Sequence, residues 1–180
     1  MTNIQPLPPP WRAVYTRARH EKKVAAALSE RGLEVYLPLV LRESQWHDRR
    51  RQVEWPMFSS YLFVRLDVSD SVVALGVPGV VSLVGTRGSV AEIPDHDIEN
   101  VRALETAISH TGAMPQPEPL LAEGEKVRIT HGSFAGIEGF VIEHRGDRIV
   151  VQVGVASIRQ AVRLDVEAAN VVTLAAAVDR

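Results

Sequence analysis

The sequence contains no cysteine among its 180 residues. This absence excludes disulfide bonds, thiolate metal sites and thiol nucleophiles, and it suits a reducing compartment. Long apolar runs are also missing: no segment approaches the roughly 18 apolar residues of a membrane helix, and no basic segment followed by an apolar one opens the chain. We therefore expect a cytoplasmic protein with neither a signal peptide nor a membrane span.

Patterns typical of catalysis or metal binding are lacking as well. The chain has no GxSxG motif and no phosphate-binding glycine loop, and its histidines show no HxxxH spacing. Asp95 and Asp97 open a predicted helix, where a cap and a favourable first-turn charge explain them better than catalysis does. The sequence predicts no enzyme activity, no metal site and no cofactor. The histidines are His20, His47, His96, His110, His131 and His144.

Charge is distributed unevenly along a chain whose formal net charge is only −2. Residues 12–51 carry ten basic and five acidic side chains, whereas residues 52–109 carry three basic and eight acidic ones. Such a gradient either orients the protein against a polyanion or is a chance distribution of surface charge. Both interpretations stay open at this point.

A proline-rich stretch, SHTGAMPQPEPLL at 109–121, interrupts the chain. Proline at every second position removes backbone donors and forbids a helix, so the stretch is typical of an extended linker. We predict a disordered tail at 1–10, a first domain at 11–109, a linker at 110–121 and a second domain at 122–175. Nothing in the sequence suggests more than a monomer.

The first domain shows strand and helix patterns in the order βαββαββα. WRAVYT (11–16) and LEVYLPLVL (33–41) are typical of strands, and RHEKKVAAALSERG (19–32) is typical of a helix that ends at Gly32. Residues 42–54 are polar and predict a loop. An α+β domain, with an antiparallel sheet faced by helices, is therefore expected.

The strand MFSSYLFVRL (57–66) is apolar on both parities. One parity carries Leu62, Val64 and Leu66 beside Phe58, and the other carries Tyr61 and Phe63. Since alternate residues of a strand face opposite sides, both sides of this strand are apolar. Either the strand is buried on both sides, or its aromatic side is kept for a partner.

The second domain contains five short segments rich in β-branched residues and separated by turn residues. A small closed β-barrel protects the edges of such short strands, so we predict a five-stranded barrel. Phe134 lies in a glycine-rich turn of this domain. It is interpreted either as a core residue or as an exposed docking residue.

Two basic clusters are candidates for phosphate contacts. The first cluster is the run HDRRRQ, which contains Arg49, Arg50 and Arg51. Trp46 and Trp55 lie on either side of it, and these two rings either stack on bases or pack against the protein. A run of this kind is otherwise a solvated loop. The second cluster lies where the first strand meets the first helix, and its members are Arg17, Arg19, His20 and Lys23.

Taken in order, WRAVYTRARHEKKVAAAL, MFSSYLFVRL, VPGVVSLVG, IPDHDIENV and EGEKVRITHGSFAGIEGFVIE resemble the NusG family of transcription factors. The resemblance extends from Trp11 to Leu174 and implies an N-terminal NGN domain followed by an SH3-like KOW barrel. It also implies binding to bacterial RNA polymerase during elongation, through the clamp helices of the β′ subunit. The matching contact residues are Tyr15, Phe58, Tyr61, Phe63, Ile98 and Val101.

Within the family, the chain is most similar to specialised antitermination paralogues of the RfaH and UpxY type. Such paralogues act on particular operons, and some contact the non-template DNA strand, for which Arg17, Arg19, His20 and Lys23 are the matching positions. The alternatives are a general housekeeping NusG factor and a ribosome-associated KOW protein that binds RNA. The polymerase β subunit, Rho and the ribosome are the further partners that the resemblance allows, and Phe134 is the candidate docking residue of the KOW domain.

The chain departs from the family pattern in both domains. Ser59 and Ser60 replace a proline and a glycine or asparagine before Tyr61, so the bend there must be made otherwise. SDSVVAL (69–75) replaces the element that contacts the β subunit, and Pro78 and Gly79 stand near positions where relatives carry arginine. The last two departures weaken the expectation of a β-subunit contact and of a DNA contact from that side. In the second domain, Ser133 replaces a common proline and Ala156 falls near an aromatic that relatives use with Rho and the ribosome, which weakens the expectation of those partners.

Overall fold

The computed structural model describes residues 7–46, 49–86, 88–112, 116–120 and 124–174, and the side chains of 43–51 and 116 are not part of that description. Contacts divide the chain into two compact units, Met1–Leu37 with Ser59–Asp95 and Pro38–Phe58 with His96–Arg180. The division does not follow the predicted boundaries, because residues 38–58 and most of the last helix group with the C-terminal strands. The predicted domain boundaries stay predictions.

The described residues form an α+β fold, as the sequence predicts. The helices are α1 Glu21–Glu30, α2 Ser71–Leu75 and α3 Asp95–Thr111. The strands before α3 are β1 Trp11–Thr16, β2 Glu34–Tyr36, β3 Leu39–Trp46, β4 Arg49–Pro56, β5 Tyr61–Arg65, β6 Val80–Leu83, β7 Gly85–Thr86 and β8 Ser89–Val90. The strands after it are β9 Gln116–Pro119, β10 Lys126–Ile129, β11 Glu138–Arg145, β12 Arg148–Val155, β13 Gln160–Glu167 and β14 Val171–Thr173.

The first unit is built on a four-stranded antiparallel sheet in the order β2-β5-β1-β6. Its core includes Leu62 and Val64 from one side of β5 and Leu66 just after the strand, together with Val24 and Leu28 of α1. The helix ends as predicted, because Gly32 adopts a φ of +81° that only glycine reaches without strain. Burying each of these aliphatic side chains contributes on the order of 1.5–3 kcal/mol.

Four segments up to Tyr61 differ from the predictions. The strand predicted at 33–41 is divided into β2 and β3 at Pro38, which has no backbone N–H to donate. The polar segment predicted as a loop at 42–54 pairs instead as the β3–β4 hairpin. The strand predicted from Met57 starts only at Tyr61, after a turn. In the tail predicted to be disordered, residues 1–6 lie outside the described residues, but Pro9 and Pro10 accept hydrogen bonds from Arg65 Nη1 and Leu66 N.

Helix α3 starts at Asp95, where the sequence predicts a helix, and one apolar side of it is buried, with Ile98, Val101, Leu104 and Ile108. Its first residue, Asp95, accepts a hydrogen bond at 2.5 Å from Arg65 Nη2, whose side chain is mostly buried. The charged pair ties the start of the helix to strand β5.

The C-terminal strands form an antiparallel sheet in the order β14-β10-β11-β12-β13-β9. The five predicted strands are confirmed, and a sixth, β9, comes from the segment predicted as a linker. Pro117 and Pro119 pair with Val162 and Gln160 of β13. Because the prolines alternate, their missing donors lie on one side of an edge strand, where a sheet tolerates proline. Residues 116–119 of the predicted linker are thus extended, as predicted, and also pair with the sheet, while residues 113–115 lie outside the described residues. Closure of the barrel stays a prediction.

Candidate functional site

An exposed pair of tyrosines lies on neighbouring strands of the first unit. Tyr15 of β1 is paired directly with Tyr61 of β5, and their ring centroids are 5.2 Å apart at an interplanar angle of 39°. Tyr15 is the one exposed residue of β1, with 38% of its surface accessible, and Tyr61 is half-buried. Burial, helped by the neighbouring Tyr15, raises the pKa of Tyr61 above its ordinary value of 10.0. The pair offers an apolar surface with hydroxyl groups at its margin.

The other residues expected to contact the clamp helices are buried. Phe58, Phe63, Ile98 and Val101 have 1% or less of their surface accessible. Phe63 stacks on Tyr36 at 6.1 Å between centroids. Parity correctly assigned Phe63 to the side of β5 opposite Leu62 but could not show that this side is covered. Phe63 and the other three are therefore core residues, and Tyr15 and Tyr61 are the members of the expected contact that lie at the surface.

A buried carboxylate holds the turn before Tyr61. Ser60 adopts a φ of +66°, a left-handed conformation that is unfavourable for serine, where the family commonly has glycine. Its N–H donates to Glu21 Oε1 at 2.8 Å, and its carbonyl accepts from Thr16 N at 2.8 Å. Glu21 is only 6% exposed. These contacts hold the turn in place of the proline and glycine of the family pattern. The sequence did not predict the role of Glu21, because an acidic residue at the start of a helix is usually exposed to solvent.

The basic cluster lies at the turn between β1 and α1. Arg17, Arg19 and Lys23 are exposed and His20 is half-buried. Within the described residues, no acidic side chain pairs with any of the three exposed cations. The turn is ordered by hydrogen bonds from Arg17 N to Gly79 O and from His20 N to Arg17 O.

Gly79 makes room for this turn. Its φ is +102°, and a Cβ at this position would lie 3.1 Å from His20 Cδ2 and 3.0 Å from Val24 Cγ2. An arginine of the kind that relatives carry near here would therefore not fit at Gly79 without rearrangement. Glycine at position 79, a departure from the family pattern, thus leaves the space that His20 occupies.

The remaining predicted site residues lie in the second unit. Arg49, Arg50 and Arg51 belong to strand β4 rather than to a loop, and their side chains lie outside the described part of the structure. Phe134 is half-buried in the turn before β11, where its carbonyl accepts a hydrogen bond from Ile137 N at 3.2 Å. Half-burial suits both interpretations of Phe134, so its docking role stays a prediction.

One charged centre was not predicted from the sequence. Glu138 of β11 is buried and contacts Arg128 at 2.5 Å, His96 at 3.0 Å and Lys126 at 3.2 Å. Burial would raise the pKa of this carboxyl, but the hydrogen bonds from Arg128, Lys126 and His96 outweigh it and lower the pKa to about 2. Asn100 of α3 donates to the Glu138 carbonyl and accepts from its N–H, both at 2.8 Å. Helix α3 is thereby fixed to β11.

Two absences concern the described residues alone. No group of three or more His, Asp or Glu side chains there is placed to hold a metal ion. No helix in the described ranges is both long and apolar enough to cross a membrane.

Comparison with known proteins shows one family. The family model described as "Transcription termination factor nusG" matches residues 9–102, which is more than half of the chain. The transcription termination/antitermination protein NusG of Pseudomonas aeruginosa is 25% identical over 173 residues, which cover 89% of this chain and 96% of that protein. The protein of the same name from Thermus thermophilus is 27% identical over 163 residues, which cover 79% and 86% of the two chains.

A solved structure supports the fold. The structure described as "Domain interaction in Thermotoga maritima NusG" is 19% identical, with a TM-score of 0.53, and the match covers 90% of this chain and 95% of that one. Proteins of this family are transcription factors and not enzymes. The chain belongs to the NusG family of transcription termination and antitermination factors.

Proposed function

We propose that this protein binds RNA polymerase during elongation and suppresses pausing or termination, and that Tyr15 and Tyr61 form its contact with the clamp helices of the β′ subunit. The observation that carries the proposal is the exposed cross-strand tyrosine pair in a chain of the NusG family. The protein acts as a monomer in the cytoplasm.

The tyrosine pair suits an amphipathic partner helix. Two aromatic rings 5.2 Å apart offer a continuous apolar surface, and an apolar helix face packs on such a surface. Each buried anchor contributes on the order of 1.5–3 kcal/mol before the costs of association. Phe63, stacked on Tyr36 in the interior, limits rearrangement of the strand that carries Tyr61. A surface that is already ordered loses little conformational freedom on binding.

The basic cluster supports a second contact, with the non-template DNA strand. Arg17, Arg19 and Lys23 are exposed on an ordered turn, and their charges are not neutralised by acidic side chains of the described residues. Together with His20, these cations suit the phosphates and base edges of an exposed strand. A contact of this kind would direct the protein to particular operons, as in the specialised paralogues.

The alternative is a general elongation factor that acts on any template, as a housekeeping NusG protein does. The relatives named above carry the general name, which favours this alternative. In it, the KOW part would contact Rho or the ribosome through Phe134. The exposed apolar residues of α2, Val72 and Leu75, replace the polar element that relatives use for the β subunit, so that second polymerase contact is the least supported.

Transcription on several unrelated templates tests the proposal. Stalled bacterial elongation complexes are chased with nucleotides at increasing concentrations of this protein, and the lifetimes of pauses are measured. We expect shorter pauses, and a dependence on one leader sequence identifies a specialised factor. Equal effects on all templates identify the general factor, and no effect together with no binding to the complexes contradicts the proposal.

A further inference from the structure

The β3–β4 hairpin presents two faces of different chemistry. Its strands pair over eight positions, from Leu39 opposite Pro56 to Trp46 opposite Arg49. Among the described strands, none pairs with either outer edge of this hairpin. Because side chains alternate along a strand, and directly opposed residues share a face, the register assigns every residue of the ladder to one face or the other.

One face, called the basic face below, combines arginine with tryptophan. It contains three arginines, two of the three tryptophans of the chain, and no acidic residue. The opposite face contains two glutamates and a single arginine, Arg50. The basic face comprises Val40, Arg42, Ser44 and Trp46 of β3 and Arg49, Arg51, Val53 and Trp55 of β4.

The described side chains of the basic face show how cation and ring are combined. Trp55 is 43% exposed, although it lies opposite the buried Val40. The Arg42 guanidinium lies 5.8 Å from the centroid of the Trp55 ring, within reach of a cation–π contact. Arg42 Nε is buried and has no hydrogen-bond partner among the described residues. An exposed ring therefore stands beside a guanidinium whose Nε has no hydrogen-bond partner among the described residues.

We propose that the basic face binds a single-stranded nucleic acid. Its arginines contact phosphates, and Trp55 and Trp46 stack on unpaired bases. The charge of the face favours a nucleic acid over an apolar peptide. Three arginines on a face without an acidic residue attract a polyanion, whereas a peptide without acidic residues would not neutralise them. Same-face positions repeat about every 6.7 Å along a strand, so the contacts follow an extended backbone. The proposal rests on the proposed function, since a factor on an elongation complex meets single strands there.

The register also places the three arginines of HDRRRQ on different faces of the hairpin. Arg49 and Arg51 lie on the basic face, whereas Arg50 lies opposite Gln45 on the other face. A charge run that acts only through its summed charge would not distinguish the three. Arg50 is therefore a matched control for its neighbours, with the same charge and the same strand.

The experiment measures binding of the full chain to a fluorescein-labelled 15-nucleotide DNA strand by fluorescence anisotropy. The same sequence as RNA and as a DNA duplex forms two further arms. Arg49→Ala and Arg51→Ala are compared with Arg50→Ala. We expect each of the first two to weaken binding about fivefold or more and to reduce the salt dependence of log K by about 0.7, as one lost single-strand phosphate contact does. Arg50→Ala should leave both within about twofold of the unchanged protein.

Trp55 gives a second, independent readout. Trp55→Ala should weaken binding to the single strand about fivefold or more, whereas Trp55→Phe should retain most of it, because the loss of a stacked ring costs this much and phenylalanine still stacks. Circular dichroism verifies the fold of each variant. If Trp55→Ala does not fold, quenching of tryptophan fluorescence on titration with the DNA strand replaces it as the readout.

The proposal is overturned if Arg50→Ala weakens binding as much as its neighbours do, if no arginine variant weakens it, or if the duplex binds more tightly than either single strand. The DNA and RNA arms then distinguish which strand the face prefers. Polymerase binding by the same variants is measured in parallel. A loss of strand binding with polymerase binding intact separates failure of this proposal from failure of the proposed function.

Discussion

The carboxylate of Glu21 accepts a hydrogen bond from the backbone N–H of Ser60 at 2.8 Å, and it does so from a position that is almost fully buried. The contact joins the first turn of α1 to the turn that precedes Tyr61. It holds a serine in a left-handed conformation that this residue type rarely adopts. The position of Tyr61, and with it the proposed polymerase contact, therefore depends on a charged residue in another element.

Substitution of Glu21 should show this dependence. Glu21→Ala removes the only described acceptor of a partly buried N–H, so we expect the free energy of unfolding to fall by about 1–3 kcal/mol. Glu21→Gln keeps an acceptor oxygen of the same reach and should lose less than half of that amount. Urea denaturation followed by circular dichroism measures both. Equal losses in the two variants would show that the hydrogen bond is not what matters.

Ser60→Gly should be tolerated or should stabilise the fold. The positive φ costs serine about 1–2 kcal/mol, and glycine avoids that cost while adding about 0.5–1 kcal/mol of unfolded-state entropy. The net change in the free energy of unfolding should lie between zero and about +1 kcal/mol. Ser59→Gly is the matched control, because Ser59 does not have a positive φ. It should destabilise, and the two glycine variants should differ in sign.

Gly79→Ala should disturb the basic cluster. At a φ of +102°, alanine is strained, and its Cβ would crowd His20 and Val24. We expect a loss of about 1–3 kcal/mol in the free energy of unfolding. Gly88→Ala also has a positive φ, of +85°, but meets no atom within 4 Å. If Gly79→Ala loses more stability in thermal unfolding than Gly88→Ala does, the crowding contributes to the loss. Equal losses of stability would show that backbone strain alone explains it.

Glu138 should give the protein a pH-dependent stability. Its pKa is lowered from 4.5 to about 2, so its contribution is fully present above about pH 4.5 and is lost as the pH falls toward 2. Glu138→Gln keeps the shape but not the charge, and should flatten the fall in stability over this range. Glu143→Gln is the comparison: its carboxylate is half-buried and pairs with Arg145 and Arg163 in a more exposed setting, so this variant should flatten the fall less than Glu138→Gln does. If the stability of Glu138→Gln falls between pH 4.5 and 2 as steeply as that of the unchanged protein, Glu138 is not the source of the pH dependence.

Much of the fold could be predicted from local patterns. Helix α1 follows from its apolar spacing and Gly32, and the strands from Lys126 to Thr173 follow from β-branched runs between turn residues. The β3–β4 hairpin could not be predicted, because a two-stranded ladder need not alternate apolar and polar residues. Strand β9 was hidden by its prolines, although their alternation is what an edge strand allows.

The candidate site was predicted in part, for a related reason. Parity separates the two sides of β5, but only tertiary packing determines which side is covered, so Phe63 proved buried and Tyr61 did not. The clustering of Arg17, Arg19 and His20 follows from their closeness in sequence. Glu21 and Glu138 each contact residues that are distant in the sequence. Nothing in the sequence around either glutamate indicates that it is buried. Contacts of that kind are determined by the fold as a whole.

The most direct test of the account is the affinity of the Tyr15→Ala, Tyr61→Ala double variant for RNA polymerase. Titration of labelled protein with bacterial core polymerase measures it, and Val172→Ala, an exposed apolar position on β14, is the control. Circular dichroism and thermal unfolding verify the fold of both variants. The account predicts that the double variant binds at least about a hundredfold more weakly, since two anchors of about 1.5 kcal/mol or more are lost, while the control binds normally. A folded double variant with unchanged affinity would contradict it.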